Sequence, residues 1–536
     1  MADGSATRTA VQGASVDVAV VGAGFAGLYM VHKAREAGLS VQGFEAGGGV
    51  GGTWYWNRYP GARCDIPSLF YSFTWSEDLA REWRWSEKYA PQPEILKYAE
   101  HIADRFGLDS AFLFNTRVES AIFDEASGRW TVKTNLGDEV SARWVVMATG
   151  CLSVPKSPEI PGADSFRGET YLTGLWPHEG VDFAGKRVAV IGTGSSAIQS
   201  IPLIAQQAAQ VTVFQRTPNF SLPALNSPLG EAEVEGYLAG FTAYRDMLRS
   251  GRSIFPAPPV DLRVQGEELE ALKGGLWNGM GLMSLFAIPN LMRMPELNEE
   301  VGDHVRERVR QMVRDPEVAE RLVPRGYAIG AKRPCVDTNY YDTFNRDNVS
   351  LVDLRETPIE TITETGIRSS AGETPFDIII FATGFDAMTG ALLKMDIRGR
   401  GGRTLGEVWA EGPKTYLGLM VAGFPNLFTV TGPGSPSVLS NMISSIEQHI
   451  DWISGAIGWA DGRQVRTLEA DSAAQEAWVE HVNAAAEGSL YLDAASWYMG
   501  ANVPGKPRVF MPYIGEGYKI RIDQVAARDY EGFRAE

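Results

Sequence analysis

Two glycine-rich hexads carry the first chemistry in this sequence. Gly22-Ala23-Gly24-Phe25-Ala26-Gly27 follows the β-branched run 16–21, and Gly192-Thr193-Gly194-Ser195-Ser196-Ala197 follows the run 186–191. In such a turn the first glycine permits the tight bend and the second lets the backbone approach a pyrophosphate. The third, for which alanine can stand, packs helix on strand. The helix that opens there offers free N–H groups and its positive dipole end to phosphate oxygens. The residue ending the next strand separates the two cradles. After the first it is Glu45; a carboxylate accepts hydrogen bonds from ribose hydroxyls and repels a 2′-phosphate, so this cradle suits FAD or NAD. After the second it is Arg216, followed by Thr217; a guanidinium with a hydroxyl suits the 2′-phosphate of NADPH. Two cradles of opposite preference imply a hydride path from NADPH to a flavin. Reductase and monooxygenase chemistry are both open at this point.

Positioning these cradles takes two βαβ units. Residues 16–21 read as a buried parallel strand, 28–37 as a helix and 40–44 as a second strand. The same grammar returns about 170 residues later, with a strand at 186–191, a helical segment to about residue 209 and a strand running into Arg216. Segments 144–150 and 377–384 (WVVMATG and DIIIFATG) each read as a buried strand ending in a tight turn near a domain crossover. Between 226 and 327 strand signals fade and charged helical stretches such as 297–315 dominate. The reading is an α/β chain with two Rossmann-like dinucleotide-binding domains. Residues 16–150 with 390–536 would form a discontinuous FAD domain, and 151–225 with 328–389 the NADPH domain. A helical insertion would occupy 226–327, and 1–15 would be a disordered tail.

The 536 residues carry 49 Lys plus Arg against 66 Asp plus Glu, a net charge of −17, which argues against nucleic-acid or anionic-membrane partners. No run approaches 18 apolar residues and the first residues lack a secretory pattern, so a soluble cytoplasmic protein is expected, a monomer or weak homo-oligomer. The three cysteines, Cys64, Cys151 and Cys335, are too widely spaced for a CxxC pair.

Segment 51–65 reads GGTWYWNRYPGARCD and 331–334 reads AKRP. With the two cradles and the pattern Phe166, Gly168, Trp176, Pro177, they resemble the class B flavoprotein Baeyer-Villiger monooxygenases, most nearly the phenylacetone and steroid monooxygenase branch, over about residues 16–515. The resemblance implies FAD and NADPH as cofactors and a ketone and O2 as substrates. NADPH would reduce the flavin, a C4a-peroxide would attack the ketone carbonyl, and the Criegee-type adduct would rearrange to an ester or lactone. It implies Arg333 as the cation that steadies the peroxide and the developing oxyanion, and Asp65 as the carboxylate that pairs with it. Thr53, Trp54, Tyr55 and Trp56 would line the flavin site with Asp65 and Tyr71, and the Val118 backbone would meet the adenine. Arg63, Thr193 to Gln199, Lys332 and Arg333 would surround NADPH, with Trp497 closing over it. After Gly432-Pro433-Gly434 a helix starting near Ser435 would point its N-terminus at the flavin ring, and the loop 435–441 would shape the substrate pocket. One position departs: Leu172 stands where the family has histidine, at the domain junction, so Leu172→His is expected to improve rate or coupling. His178 is close by but off the motif position.

Three other readings compete. An N- or S-oxygenating flavin monooxygenase would share both cradles, whereas the GARCD and AKRP segments favour ketone chemistry. A disulfide reductase needs a cysteine pair that the sequence lacks. A non-catalytic dinucleotide-binding redox sensor would not require Arg333 and Asp65 together.

Overall fold

In the computed structural model, which describes residues 11–250, 262–278 and 281–536, the apolar runs read from the sequence become the centres of two sheets. The first has eight strands. Gln12–Val21 lies between Glu139–Met147 and Val41–Phe44, parallel to both, and Phe112–Leu113 continues the parallel edge. Val118–Asp124 and Arg129–Thr134 form an antiparallel extension on Glu139–Met147. Two late strands complete it: Asp396–Arg398 beside Val118–Asp124, and Leu427–Thr429 beside the end of Glu139–Met147. The second sheet is parallel throughout, in the order Val349–Asp353, Gln210–Gln215, Arg187–Ile191, Ile378–Phe381, Glu169–Leu172. Strands buried on both faces read as unbroken hydrophobic runs, which is why 144–147 and 378–381 are visible in the sequence.

The chain therefore passes from the first sheet to the second and back. The two crossovers run side by side: Lys156 N–H donates to the Gly384 carbonyl, Asp386 N–H to Val154, and Met388 N–H to Cys151. A late segment straps them. Lys506 Nζ reaches Asp386 Oδ1 and the Ala387 carbonyl, each at 2.7 Å, and Asn502 Nδ2 donates to the Phe385 carbonyl at 2.6 Å. Between Gln210–Gln215 and Val349–Asp353 the chain is mostly helical, with Glu231–Arg249, Gly266–Asn278, Leu282–Phe286, Pro295–Met312 and Pro316–Leu322. No helix among the described residues is long and apolar enough to cross a membrane.

Two local expectations are corrected. The first strand begins at Gln12, because Gln12 and Ala14 pair with Glu139 and Val140; the tail expected over 1–15 therefore does not include 12–15, and residues 1–10 lie outside the described residues. No α-helix begins near Ser435. A single 3-10 turn covers Ser437–Leu439, and the long helix Met442–Gly462 starts after Asn441, whose side chain caps Ile443 N–H at 3.0 Å.

Candidate active site

The first cradle is built by close backbone approach. Gly22 has φ +107°, and a Cβ there would lie 2.6 Å from the Ala148 carbonyl oxygen; a Cβ on Gly27 would lie 1.8 Å from that of Gly22. The helix Phe25–Glu36 starts at Gly24 with no side-chain cap, so its first N–H groups are left to a ligand. Glu45 is buried, and its two carboxylate oxygens accept from Ala23 N–H at 2.8 Å and Gly47 N–H at 2.7 Å. Each oxygen keeps a further lone pair, so the group ties the loops together and retains acceptor capacity for a ribose. Of the aromatic motif, Trp54 is buried and its Nε1 donates to the Tyr71 hydroxyl at 3.1 Å. Tyr55 accepts from Gly48 N–H at 2.8 Å; Thr53 is exposed and Trp56 half-buried. The Val118 side chain is in the core, which leaves only its backbone for a ligand.

The second cradle differs in its openness. The helix Ser195–Ala205 also starts without a side-chain cap, and a Cβ on Gly194 would meet nothing within 4 Å. Ala197 is fully buried under the helix, where its methyl is accommodated. Thr193 Oγ1 donates to the Thr217 carbonyl at 3.0 Å, Ser196 Oγ lies 3.2 Å from Thr173 Oγ1, and Ser195 Oγ lies 3.2 Å from Cys335 Sγ. Arg216 and Thr217 are exposed at the strand end. Burial, and then the nearby charge of Arg216, lower the Lys332 pKa; the Lys332 ammonium rests 4.4 Å from the Tyr327 ring centre. Two cations thus face each other, and neither forms an ion pair among the described residues. That is the donor set a phosphate dianion fits.

Arg333 joins segments far apart in sequence. Its Nε and Nη2 donate to the two oxygens of Asp65 at 2.6 and 2.9 Å, and its Nη1 donates to the Val438 carbonyl at 2.8 Å. Burial pulls the guanidinium pKa down, but the charge and hydrogen bonds of Asp65 more than reverse it, so the side chain stays a cation. All three cysteines are free and buried, and burial pushes their thiols up, Cys151 to about 11 and Cys335 to about 12. None is a thiolate poised for disulfide exchange.

Two side chains named from the sequence for NADPH also hold protein partners. Arg63 Nη1 is held by Glu87 Oε2 at 3.1 Å and the Tyr89 carbonyl at 2.9 Å. Gln199 accepts from the Tyr59 hydroxyl at 2.9 Å and donates to the Arg63 carbonyl at 3.1 Å. Gln199 thereby fastens the second nucleotide helix to the aromatic segment of the first domain. Trp497 is half-buried, its ring 4.4 Å from that of Tyr498, in a cluster with Cys151, Met388, Val438 and Met442. Sequence reasoning passed over Tyr498, which is buried. Its phenol pKa is raised by burial and opposed by the charge of Arg333 and a hydrogen bond to it. Adjacency to Trp497 was the only signal. His178, set aside as off the motif, lies 4.8 Å ring to ring from Tyr55. Leu172 ends its strand in apolar packing with the Ile191, Ile379 and Phe381 cluster.

Residues 16–236 match the pyridine nucleotide-disulphide oxidoreductase family, which covers both cradles but less than half of the chain. A phenazine N-monooxygenase of Lysobacter antibioticus is 40% identical over 96% of this chain and 96% of its own length. A Baeyer-Villiger monooxygenase of Pseudooceanicola batsensis is 39% identical over 98% and 97%. Among solved structures, an oxidised steroid monooxygenase bound to NADP is 51% identical, with a TM-score of 0.93 over 97% of this chain and 99% of that one. An OTEMO complex with FAD and NADP is 37% identical, with a TM-score of 0.89 over 97% and 99%. Near-complete coverage at these identities, together with a carboxylate-held arginine, two opposite cradles and no paired cysteines, makes this chain a member of the flavoprotein Baeyer-Villiger monooxygenase family.

Proposed function

We propose that this chain is an NADPH- and O2-dependent flavin monooxygenase that converts a ketone into an ester or lactone. The observation that carries the reading is the half-buried Arg333, held cationic by Asp65 and fixed at its third corner by the Val438 carbonyl. Bound FAD would supply the redox chemistry, taking two electrons from NADPH and activating O2. The uncapped helix at Gly24, with Gly22 and Gly27 behind it and Glu45 beside it, would hold the FAD pyrophosphate and ribose. Thr53, Trp54, Tyr55, Trp56, Asp65 and Tyr71 would wall the ring, and the Val118 backbone would meet the adenine. The helix at Gly194 with Thr193, Ser195 and Ser196 would hold the NADPH pyrophosphate, and Arg216, Thr217 and Lys332 its 2′-phosphate. Arg333 would stabilise negative charge developing on the substrate carbonyl oxygen, and its position beside a dry wall of Tyr498 and Val438 makes that charge worth more than in water. Trp497 would cover the nicotinamide side.

A specific observation supports a second reading, oxygenation at nitrogen: the phenazine N-monooxygenase is among the most similar relatives. Oxidation at nitrogen or sulfur takes the electron pair from the substrate and builds no carbonyl oxyanion for Arg333 to hold. The ketone reading is therefore the one this site is built for. The test is NADPH consumption with product analysis on the FAD-loaded protein, using cyclic, aryl and steroid ketones, one sulfide and one phenazine. Esters or lactones carrying one atom from O2 support it; N-oxide or sulfoxide without any ester overturns it. The net charge of −17 is in keeping with a cytoplasmic protein, monomeric or weakly associated, with 16–150 plus 390–536 and 151–225 plus 328–389 as the two nucleotide domains.

A further inference from the structure

The loop that gives Arg333 its third hydrogen bond is held in an unfavourable conformation. Val438, the acceptor, sits in the turn Ser437–Leu439; Ser437 has φ +43° and Thr431 has φ +53°. Left-handed backbone is disfavoured for any residue with a Cβ and most for a β-branched one. Both residues are buried, so nothing but protein holds them there. Ser437 Oγ donates to the Thr431 carbonyl at 2.9 Å, and Thr431 N–H donates to His449 Nδ1 at 2.9 Å. On the far side of the ring His449 Nε2 lies 2.8 Å from the Tyr518 hydroxyl, which donates to the Leu417 carbonyl at 2.6 Å.

The hydrogens along this chain have one consistent direction. Thr431 N–H is a donor, so Nδ1 carries no proton. The neutral ring then carries its proton on Nε2 and donates to the Tyr518 oxygen, whose own hydrogen goes to Leu417. His449 is fully buried, and burial pushes its pKa down to about 3, so the ring stays neutral. A protonated ring would set N–H against N–H at Thr431. Asp65 grips one edge of the guanidinium, Nε and Nη2, which leaves the pair free to tilt as a unit; the Val438 carbonyl takes the third corner and removes that freedom.

We propose that His449, on the helix Met442–Gly462, is a positioning residue for Arg333: through Thr431 and Ser437 it fixes the Val438 carbonyl, and with it the direction of the guanidinium. The proposal rests on the reading of Arg333 as the cation of the reaction. A displacement of about 1 Å in a positioned group can cost on the order of 100-fold in rate. Since Asp65 still holds two corners, loss of the third is expected to lower ester formed per NADPH consumed by about 5- to 20-fold.

The experiment compares His449→Phe, His449→Asn, the double variant His449→Phe/Thr431→Gly, and Arg333→Ala as FAD-loaded proteins. It measures ester per NADPH, KM for NADPH, the flavin absorbance spectrum and the melting temperature. His449→Phe is expected to lose ester yield while its flavin spectrum and KM for NADPH stay close to wild type. Asparagine can accept from Thr431 N–H and should restore most of the yield. Glycine at 431 takes φ +53° without help and should do the same in the double variant. Wild-type yield in His449→Phe, with Arg333→Ala making no ester, overturns the relay and leaves the Arg333 reading standing. Ester at wild-type yield from Arg333→Ala overturns that reading and the proposal with it. A loss that neither asparagine nor Thr431→Gly restores assigns His449 a plain core role and also overturns the proposal. If His449→Phe does not fold, Tyr518→Phe takes its place, with a fall of about 2- to 3-fold expected and an unchanged yield overturning the relay.

Discussion

Replacing Asp65 with alanine isolates what the ion pair contributes. The substitution removes the acceptors for Arg333 Nε and Nη2 and leaves the guanidinium with the Val438 carbonyl and its contact with Tyr498. Breaking a fully buried pair by deleting one partner costs about 3–5 kcal/mol, because the surviving charge is stranded. Here the two side chains retain 18% and 27% exposure, so water recovers part of that, and about 2–3 kcal/mol is the expected destabilisation. The chemical loss should be larger than the structural one. Without Asp65, burial acts on the Arg333 pKa with its main opposing partner gone, and the guanidinium is freer to rotate away from the substrate oxygen. Removing one positioned electrostatic partner of a developing oxyanion costs on the order of 100- to 1000-fold in kcat. Asp65→Asn keeps the volume and one acceptor but turns an amide N–H₂ towards the guanidinium, so it should fall between the two in yield. The assay is ester formed per NADPH by gas chromatography, alongside a thermal melt followed by flavin fluorescence. Wild-type yield in Asp65→Ala would refute the argument that this carboxylate aims and charges Arg333, whatever the melt shows.

Four further predictions test separate parts of the structure. Gly194→Ala places its methyl in open space, so the melting temperature should not move, whereas KM for NADPH should rise by about tenfold if a pyrophosphate lies there; an unchanged KM removes Gly194 from the cradle. Arg216→Ala should raise KM for NADPH by on the order of 10- to 100-fold and leave KM for NADH nearly unchanged; an unaltered preference for NADPH would sink the 2′-phosphate assignment. Glu447 is buried with its carboxylate on Thr74 and Trp75, and burial raises its pKa from 4.5 to about 7. The folded chain therefore keeps a proton that the unfolded chain has lost between about pH 4.5 and 7, and stability falls as pH rises through that window by up to about 3 kcal/mol. Glu447→Gln should flatten the melting temperature across pH 5 to 8, and an unchanged slope would exclude Glu447 as its source. Leu172→His, expected from the fingerprint to improve rate or coupling, should also lower stability by about 1–2 kcal/mol, since it puts an imidazole into the Ile191–Phe381 packing; an unchanged ester yield would make the fingerprint histidine dispensable here, and an unmoved melting temperature would refute the packing argument.

The parts of this site that were legible in sequence are those whose physics is local. Strand, glycine turn, helix and the terminal Glu45 or Arg216 lie within one βαβ unit, so periodicity and a single residue type report them. The start of the first strand was not legible, because Gln12 and Ala14 join the sheet only through pairing with the Glu139–Met147 strand and show no apolar alternation of their own. The segment after Gly434 misled for a related reason. Serines and prolines there look like a helix start, yet the residues are bent into left-handed turns by His449 and Ser437, and the true cap is Asn441. Arg63 and Gln199 carry the right chemistry for a phosphate, but their protein partners Glu87, Tyr89 and Tyr59 come from distant or separate segments, a pairing that residue type does not encode.

Arg333 and Asp65 show where local reading ends. They are 268 positions apart, and Val438 is 105 beyond Arg333, so no spacing rule brings the three together. What does so is the return of the chain to its first sheet. Asp65 follows the first nucleotide unit, Arg333 leaves the helical insertion, and Val438 follows the strand Leu427–Thr429, which docks on the end of Glu139–Met147 beside Val145–Met147. The charge of the site is thus assembled by the discontinuity of the fold itself. The Lys506–Asp386 contact straps the second crossover to the late segment that carries Asn502, so the return of the chain is fastened at the same place where it crosses.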